Sequence, residues 1–205
     1  MEDAREPKFL VVGLGLVVEG GLALLAWGLG RWLGQPALAT LWVDATGVGL
    51  GILATLPLLL LFSWTYHSQL AGLVRIRQFF DAVLKPLFAR CTLLEIAVIS
   101  ISAGLGEEML FRGLLQAAIA RHLGLWVGLA VASLLFGLMH PITPAYVLLA
   151  SLMGAYLGLI WCASGNLLVA VVAHALYDFL VLAFMLRPRP ASGGRTEAPS
   201  SIPEQ

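Results

Sequence analysis

Six apolar stretches constrain this chain more than any other feature. They lie at about 9–30, 45–65, 91–120, 125–140, 144–163 and 167–186. Each is long enough, or nearly so, to cross a hydrocarbon core of about 30 Å, which takes about 20 helical residues. The breaks between them carry turn-forming residues: GQP at 34–36, HLG at 122–124, HPITP at 140–144 and SGN at 164–166. Inside lipid every backbone N–H and C=O needs a partner within the protein, and no alternating ten-residue pattern suggests a closed barrel. The expected fold is therefore all-α: a polytopic bundle of about six transmembrane helices. With 60% hydrophobic and 12% charged residues, the chain stands far from a soluble domain, whose charged share is about 25%. Residues 1–186 are expected to form a single transmembrane domain, and the polar tail 187–205, RPRPASGGRTEAPSSIPEQ, to be disordered and cytoplasmic. The first apolar run is too long for a signal-peptide core and is expected to remain as a span.

Between the second and third spans, GLVRIRQFFDAVLKPLFAR gathers Val74, Ile76, Phe79, Phe80, Val83, Leu84 and Leu87 toward one side, away from Arg75, Arg77, Asp81 and Lys85. That segment reads as an interfacial amphipathic helix, or as a connector that is merely helical. Lys and Arg crowd the side shared by both termini and by this segment, while Arg31 and Arg121 fall opposite. The positive-inside rule then places both termini in the cytoplasm, as for a prokaryotic plasma-membrane protein. Gly13, Gly20, Gly21, Gly28, Gly47, Gly49 and Gly51 are expected to be helix-packing surfaces. Glu19 and Glu95, set in apolar runs, are expected to make polar contacts inside the bundle. Cys91 and Cys162 form neither a metal knuckle nor a disulfide framework. The net charge of zero gives no reason to expect nucleic acid.

The third span raises a chemical question. Residues 106–115, GEEMLFRGLL, put Glu107, Glu108 and Arg112 within six residues of an apolar run. On insertion scales each ionisable group at bilayer depth costs about 2.5–3.5 kcal/mol, so such groups are presumed functional. Glu108 and Arg112 are four apart on a helix and can pair, whereas Glu107 is rotated about 140° from Arg112 and points elsewhere. No Asp, Glu, Lys or Arg occurs between His122 and Tyr177, yet His140 and His174 fall there, and Asp178 follows His174 by one helical turn. At a rise of 1.5 Å per residue, Glu107, His140 and Asp178 sit about 21, 22 and 16 Å from the outer ends of their spans, a common layer. A carboxylate beside an imidazole can take a proton from water, and a second imidazole can steady charge developing on a carbonyl oxygen. Hydrolysis needs those parts.

These residues resemble a known family. EEMLFR (Glu107, Glu108, Arg112) looks like its EExxxR motif, FGLMH (Phe136, His140) its FxxxH motif, and HALYD (His174, Asp178) its HxxxN/D motif. They occur in the order found in the CAAX prenyl protease 2 and bacteriocin-processing (CPBP, Abi) family, over a motif-bearing core of residues 90–186. The resemblance implies a glutamate-dependent intramembrane endopeptidase. Glu107 would activate water, and His140 would hold that water or share its proton. Glu108 and Arg112 would shape and neutralise the site, and His174 and Asp178 would occupy the oxyanion-stabilising positions. The eukaryotic prenyl proteases carry Asn where Asp178 stands; an ionised Asp accepts hydrogen bonds but does not donate them, so Asp178 would instead orient His174, fix its tautomer, or carry a proton itself. The implied partners are membrane lipids and a membrane-associated, optionally lipidated, peptide or protein substrate, with no cofactor and no nucleic acid.

Two other readings use the same residues. Two His and a Glu are the ligand set of a catalytic zinc site, although no HExxH is present. A transport or immunity protein without catalysis would use Glu107, His140 and His174 as a proton relay or as interhelical ties; no inverted repeat supports transport.

Overall fold

The computed structural model describes residues 6–187. Among them there is no strand, and the chain is all-α. The helices are α1 (Glu6–Trp32), α2 (Ala45–His67), α3 (Ala71–Phe79), α4 (Lys85–Phe88), α5 (Leu93–Glu108), α6 (Ala117–Leu123), α7 (Leu125–Leu138), α8 (Pro144–Ser164) and α9 (Leu167–Met185). Wider π-helical segments, Phe80–Leu84 and Met109–Gln116, join α3 to α4 and α5 to α6. The expected tail 187–205 lies almost wholly outside the described residues.

Of the six expected spans, Phe9–Trp32, Ala45–His67, Pro144–Ser164 and Leu167–Met185 are long and apolar enough to cross a membrane. The chain is an integral membrane protein. The other two expected spans are built differently. The stretch expected at 91–120 is not one regular helix: α5 has 16 residues and runs into the π-helical segment before α6 resumes. The 14 residues of α7 extend only about 21 Å at 1.5 Å each, short of a full crossing.

Local chemistry sets the ends of these helices. Asp44 caps α2 by accepting from the Gly47 amide at 2.7 Å, and Thr143 caps α8 by accepting from Tyr146 at 3.1 Å. Glu95 is no interior contact. It closes a capping box with Thr92, whose amide donates to Glu95 at 2.7 Å while the Glu95 amide donates to the Thr92 hydroxyl. A carboxylate in an apolar run is thereby explained by the first turn of α5.

The centre of the bundle is α9, packed against α2, α5 and α8. Its small residues Ala170 and Ala173 are fully buried and let its neighbours close in. Leu58, Leu157, Ala170 and Ala173 form one apolar core, and Met109, Leu114, Phe111, Phe136 and Leu167 belong to another. Large apolar side chains such as Leu14, Val17, Leu24, Leu53 and Leu60 stay exposed, as they should where the surroundings are hydrocarbon.

The glycine expectation holds for only part of the set. Gly47 and Gly51 pack against α9 and its N-terminal cap, but Gly13, Gly20, Gly21, Gly28 and Gly49 have nothing within 4 Å of where a Cβ would stand. α1 meets the rest of the bundle along one line, and its open glycines face away from it. The tightest approach of α1 to another helix falls instead at Gly106, where a methyl group would run into the Glu19 carbonyl oxygen. That contact holds the backbone of α1 directly against the residue before Glu107.

Candidate active site

Glu108, Arg112 and Gln116 are fully or almost fully buried, and Glu107 nearly so. Arg112 Nη1 donates to Glu108 Oε1 at 2.9 Å, and its Nη2 donates to the Gly154 carbonyl of α8 at 2.8 Å. The guanidinium also lies over the Phe136 ring, 4.6 Å from its centre. A cation in a bilayer must be paired and hydrogen-bonded, and Arg112 meets a carboxylate, a carbonyl and a π face at once. In the wider π-helical turn that follows Glu108, the Glu108–Arg112 spacing still permits the ion pair.

Phe136 joins the parts. It stands edge-on to Phe111 at 5.0 Å, touches His140 at 4.9 Å and meets His174 at 5.8 Å between ring centres. His140 lies just beyond the end of α7, and its Nδ1 is 2.8 Å from the Phe136 carbonyl. A carbonyl only accepts, so Nδ1 carries the proton and Nε2 is free to accept. That Nε2 stands 3.9 Å from Glu107 Oε1.

His174, on α9, is held from both sides. Its Nδ1 is 2.8 Å from Glu108 Oε1. Its Nε2 is 3.4 Å from Asp178 Oδ2 and 3.9 Å from Glu107 Oε2. Glu108 thus serves Arg112 and His174 together, while Glu107 faces both imidazoles. Among the described residues, Glu107 Oε2, Glu108 Oε2 and Glu19 Oε2 are buried and make no hydrogen bond. No group of three or more His, Cys, Asp or Glu side chains among them is arranged to hold a metal ion.

All six residues singled out from the sequence come together here. Glu107, His140, His174 and Asp178 line one cavity with Phe136, Tyr146, Met153 and Tyr177, while Glu108 and Arg112 lie behind its wall. The side chains of His140 and Asp178 are 28% and 29% exposed, against 11% for Glu107, so the cavity opens along the His140 and Asp178 rim. Sequence reasoning missed Tyr146 and Tyr177. Tyr146 stands edge-on to His140 at 6.2 Å between ring centres. A hydroxyl on an otherwise apolar helix was the available signal, but tyrosines at membrane interfaces are common enough to mask it.

A family match falls on the same segment. Residues 89–180 match the family described as type II CAAX prenyl endopeptidase, Rce1-like. The chain is 35% identical over 97 residues to a protein of Bacillus subtilis (strain 168) named uncharacterized protein YpbD, an alignment covering 46% of this chain and 47% of that one. The chain therefore spans about half the length of the curated relative it matches. No solved structure is significantly similar to it. The matched stretch, residues 89–180, carries Glu107, Glu108, Arg112, Phe136, His140, His174 and Asp178, and it is through this stretch that the chain is similar to the Rce1-like type II CAAX prenyl endopeptidase family.

Proposed function

We propose that the protein is an intramembrane endopeptidase that hydrolyses a peptide bond of a membrane-associated peptide or protein with water activated by Glu107. The supporting observation is the disposition of Glu107 between two imidazole Nε2 atoms, each 3.9 Å away. That separation is too long for a hydrogen bond and suits a water bridging the two groups through bonds of about 2.8 Å. Such a water donates one proton to Glu107 and the other to His140 Nε2, whose tautomer is set by the Phe136 carbonyl. Its oxygen lone pair is then directed at a peptide carbonyl entering from the His140 and Asp178 rim. As the new C–O bond forms, the water proton passes to Glu107, and His174 Nε2–H stabilises the resulting oxyanion. Collapse of the tetrahedral intermediate breaks the C–N bond, and Glu107 returns the proton to the departing amine.

In this reading Glu108 and Arg112 are positioning residues that hold His174, and Asp178 orients the same ring from its other nitrogen. The catalytic unit is the single transmembrane domain 1–186, with both termini assigned to the cytoplasm by the distribution of Lys and Arg. The substrate, lipidated or not, is cleaved close to the cytoplasmic leaflet. Comparative peptidomics of cells carrying the wild type and Glu107→Gln is the test. Glu107→Gln keeps the shape and removes the base, and it is expected to lower specific peptide products by about 10²-fold or more, the usual weight of a general base. Unchanged products from a correctly folded Glu107→Gln variant would rule the mechanism out.

A further inference from the structure

The matched family segment begins at residue 89, yet an aromatic ring from before it packs on the wall of the catalytic cavity. His140 lies past the end of α7. The hydrogen-bond contact between its Nδ1 and the Phe136 carbonyl fixes one nitrogen and leaves the ring able to rock about that bond. Its Nε2 faces Glu107 across a gap and its side chain is 28% exposed, so packing has to hold the ring plane. Phe136 covers the ring from within, 4.9 Å between centres, and Tyr146 of α8 meets it edge-on at 6.2 Å. The Tyr146 backbone is tied down, because its amide donates to Thr143, the cap of α8. Its side chain stands in the wall between the catalytic cavity and a second cavity of about 70 Å³, lined largely by apolar residues.

Phe80, which opens the π-helical segment after α3, also lines that second cavity, and its ring centre lies 6.0 Å from that of Tyr146. The backbones bring the two sides together. A Cβ on Gly72 of α3 would come within 3.0 Å of the Ala145 Cβ, so α3 rests directly against the turn of α8 that carries Tyr146. Aromatic pairs at such separations prefer tilted or edge-on arrangements and contribute beyond their buried area. Phe80, Tyr146, His140 and Phe136 thus form one row of rings running from the α3 segment into the site. We infer that Tyr146 is a positioning residue that holds the His140 ring with Nε2 toward Glu107, and that Phe80 holds Tyr146 in turn. The inference rests on the role proposed above for His140.

The test uses the full chain in lipid vesicles with isotope-labelled histidine rings, read by nuclear magnetic resonance, which requires no substrate. The chain has four histidines, and the His140 signals are those lost in His140→Gln. The wild type is expected to show His140 as a single Nδ1–H tautomer with sharp signals. Tyr146→Leu removes the ring and is expected to broaden those signals or split them between two tautomers, with the His174 signals unmoved. Tyr146→Phe keeps the ring and is expected to restore them. Phe80→Leu should repeat the Tyr146→Leu change to a smaller extent. Wild-type His140 signals in Tyr146→Leu or in Phe80→Leu, an equal change in Tyr146→Phe, or His174 displaced as much as His140 overturns the inference. Should Tyr146→Leu fail to accumulate, Phe80→Leu decides by the same criterion. In cells, products are expected to fall about two- to tenfold with Tyr146→Leu and by less with Tyr146→Phe; equal losses count against it. The resonance result stands apart from cleavage, so failure of the peptidase reading in the Glu107→Gln experiment is distinguishable from failure of this one.

Discussion

α9 carries two polar clusters built on opposite principles. At its start, Asn166 uses all its hydrogen-bonding capacity. Its Oδ1 accepts from the amides of Trp42 at 3.3 Å and Leu168 at 3.0 Å, and its Nδ2 donates to the Trp42 carbonyl at 2.9 Å and to Asp44 at 3.0 Å. Thr40 completes that end by accepting from the Trp161 indole at 3.0 Å. Two turns further along, the His174 cluster leaves Glu19, Glu107 and Glu108 each with a buried oxygen that has no hydrogen-bond partner among the described residues. Buried polar groups are normally satisfied, so a saturated network reads as a structural tie and an unsaturated one as a place kept for a ligand. The contrast separates glue from chemistry within a single helix.

Replacing Arg112 with Met should produce the largest change and show how far the open cluster depends on its one internal cation. Glu108 would lose its ion pair and stay fully buried. Removing one partner of a buried pair typically costs about 3–5 kcal/mol. Thermal unfolding in detergent should show a destabilisation of that size, with cleavage abolished because His174 loses a fixed Glu108. A variant as stable as the wild type would mean that Glu108 finds another partner.

Asn166→Ala should separate the clusters in the other sense. It leaves Asp44 and three backbone groups without their Asn166 partners, and a loss of about 1–3 kcal/mol is expected from such orphaned groups. Turnover by the fraction that remains folded should be unchanged, since no atom of this network reaches the cavity. A turnover defect at full folding would show that the two ends of α9 are coupled.

The open cluster was more legible in the sequence than the saturated one. Charges in an oil-like chain announce themselves, and i, i+4 spacing on regular helices is enough to pair Glu108 with Arg112 and leave Glu107 free. His174 and Asp178 followed from the same rule. Asn166 was read only as part of a turn, because its partners Trp42 and Asp44 lie more than 120 residues away and no periodicity links them. The π-helical segment was invisible for a related reason: MLFRGLLQ suits an α-helix equally well, and nothing in its residue types marks the wider turn. Glu95 misled because a capping box at the membrane surface and a carboxylate inside the bundle look alike in an apolar run. Glu19 was visible as an anomaly, but the contact of its backbone with Gly106 is one that only the packed helices reveal.

The smallest effect is expected from Asp178→Asn, and it bears on what the open cluster needs from its rim. Asp178 Oδ2 lies 3.4 Å from His174 Nε2, and Asn at this position keeps an oxygen able to accept from that nitrogen. If Asp178 acts by orienting the ring, its charge is dispensable and cleavage should fall by less than about tenfold, under 1.4 kcal/mol of transition-state stabilisation. Asp178→Ala, which removes the acceptor altogether, should cost more than Asp178→Asn in the same assay. Abolition of cleavage by Asp178→Asn would instead show that a second negative charge must face His174. The pairing of rim and ring would then be an ion pair required for catalysis, and Asp178 would belong with Glu108 among the residues whose charge the site depends on.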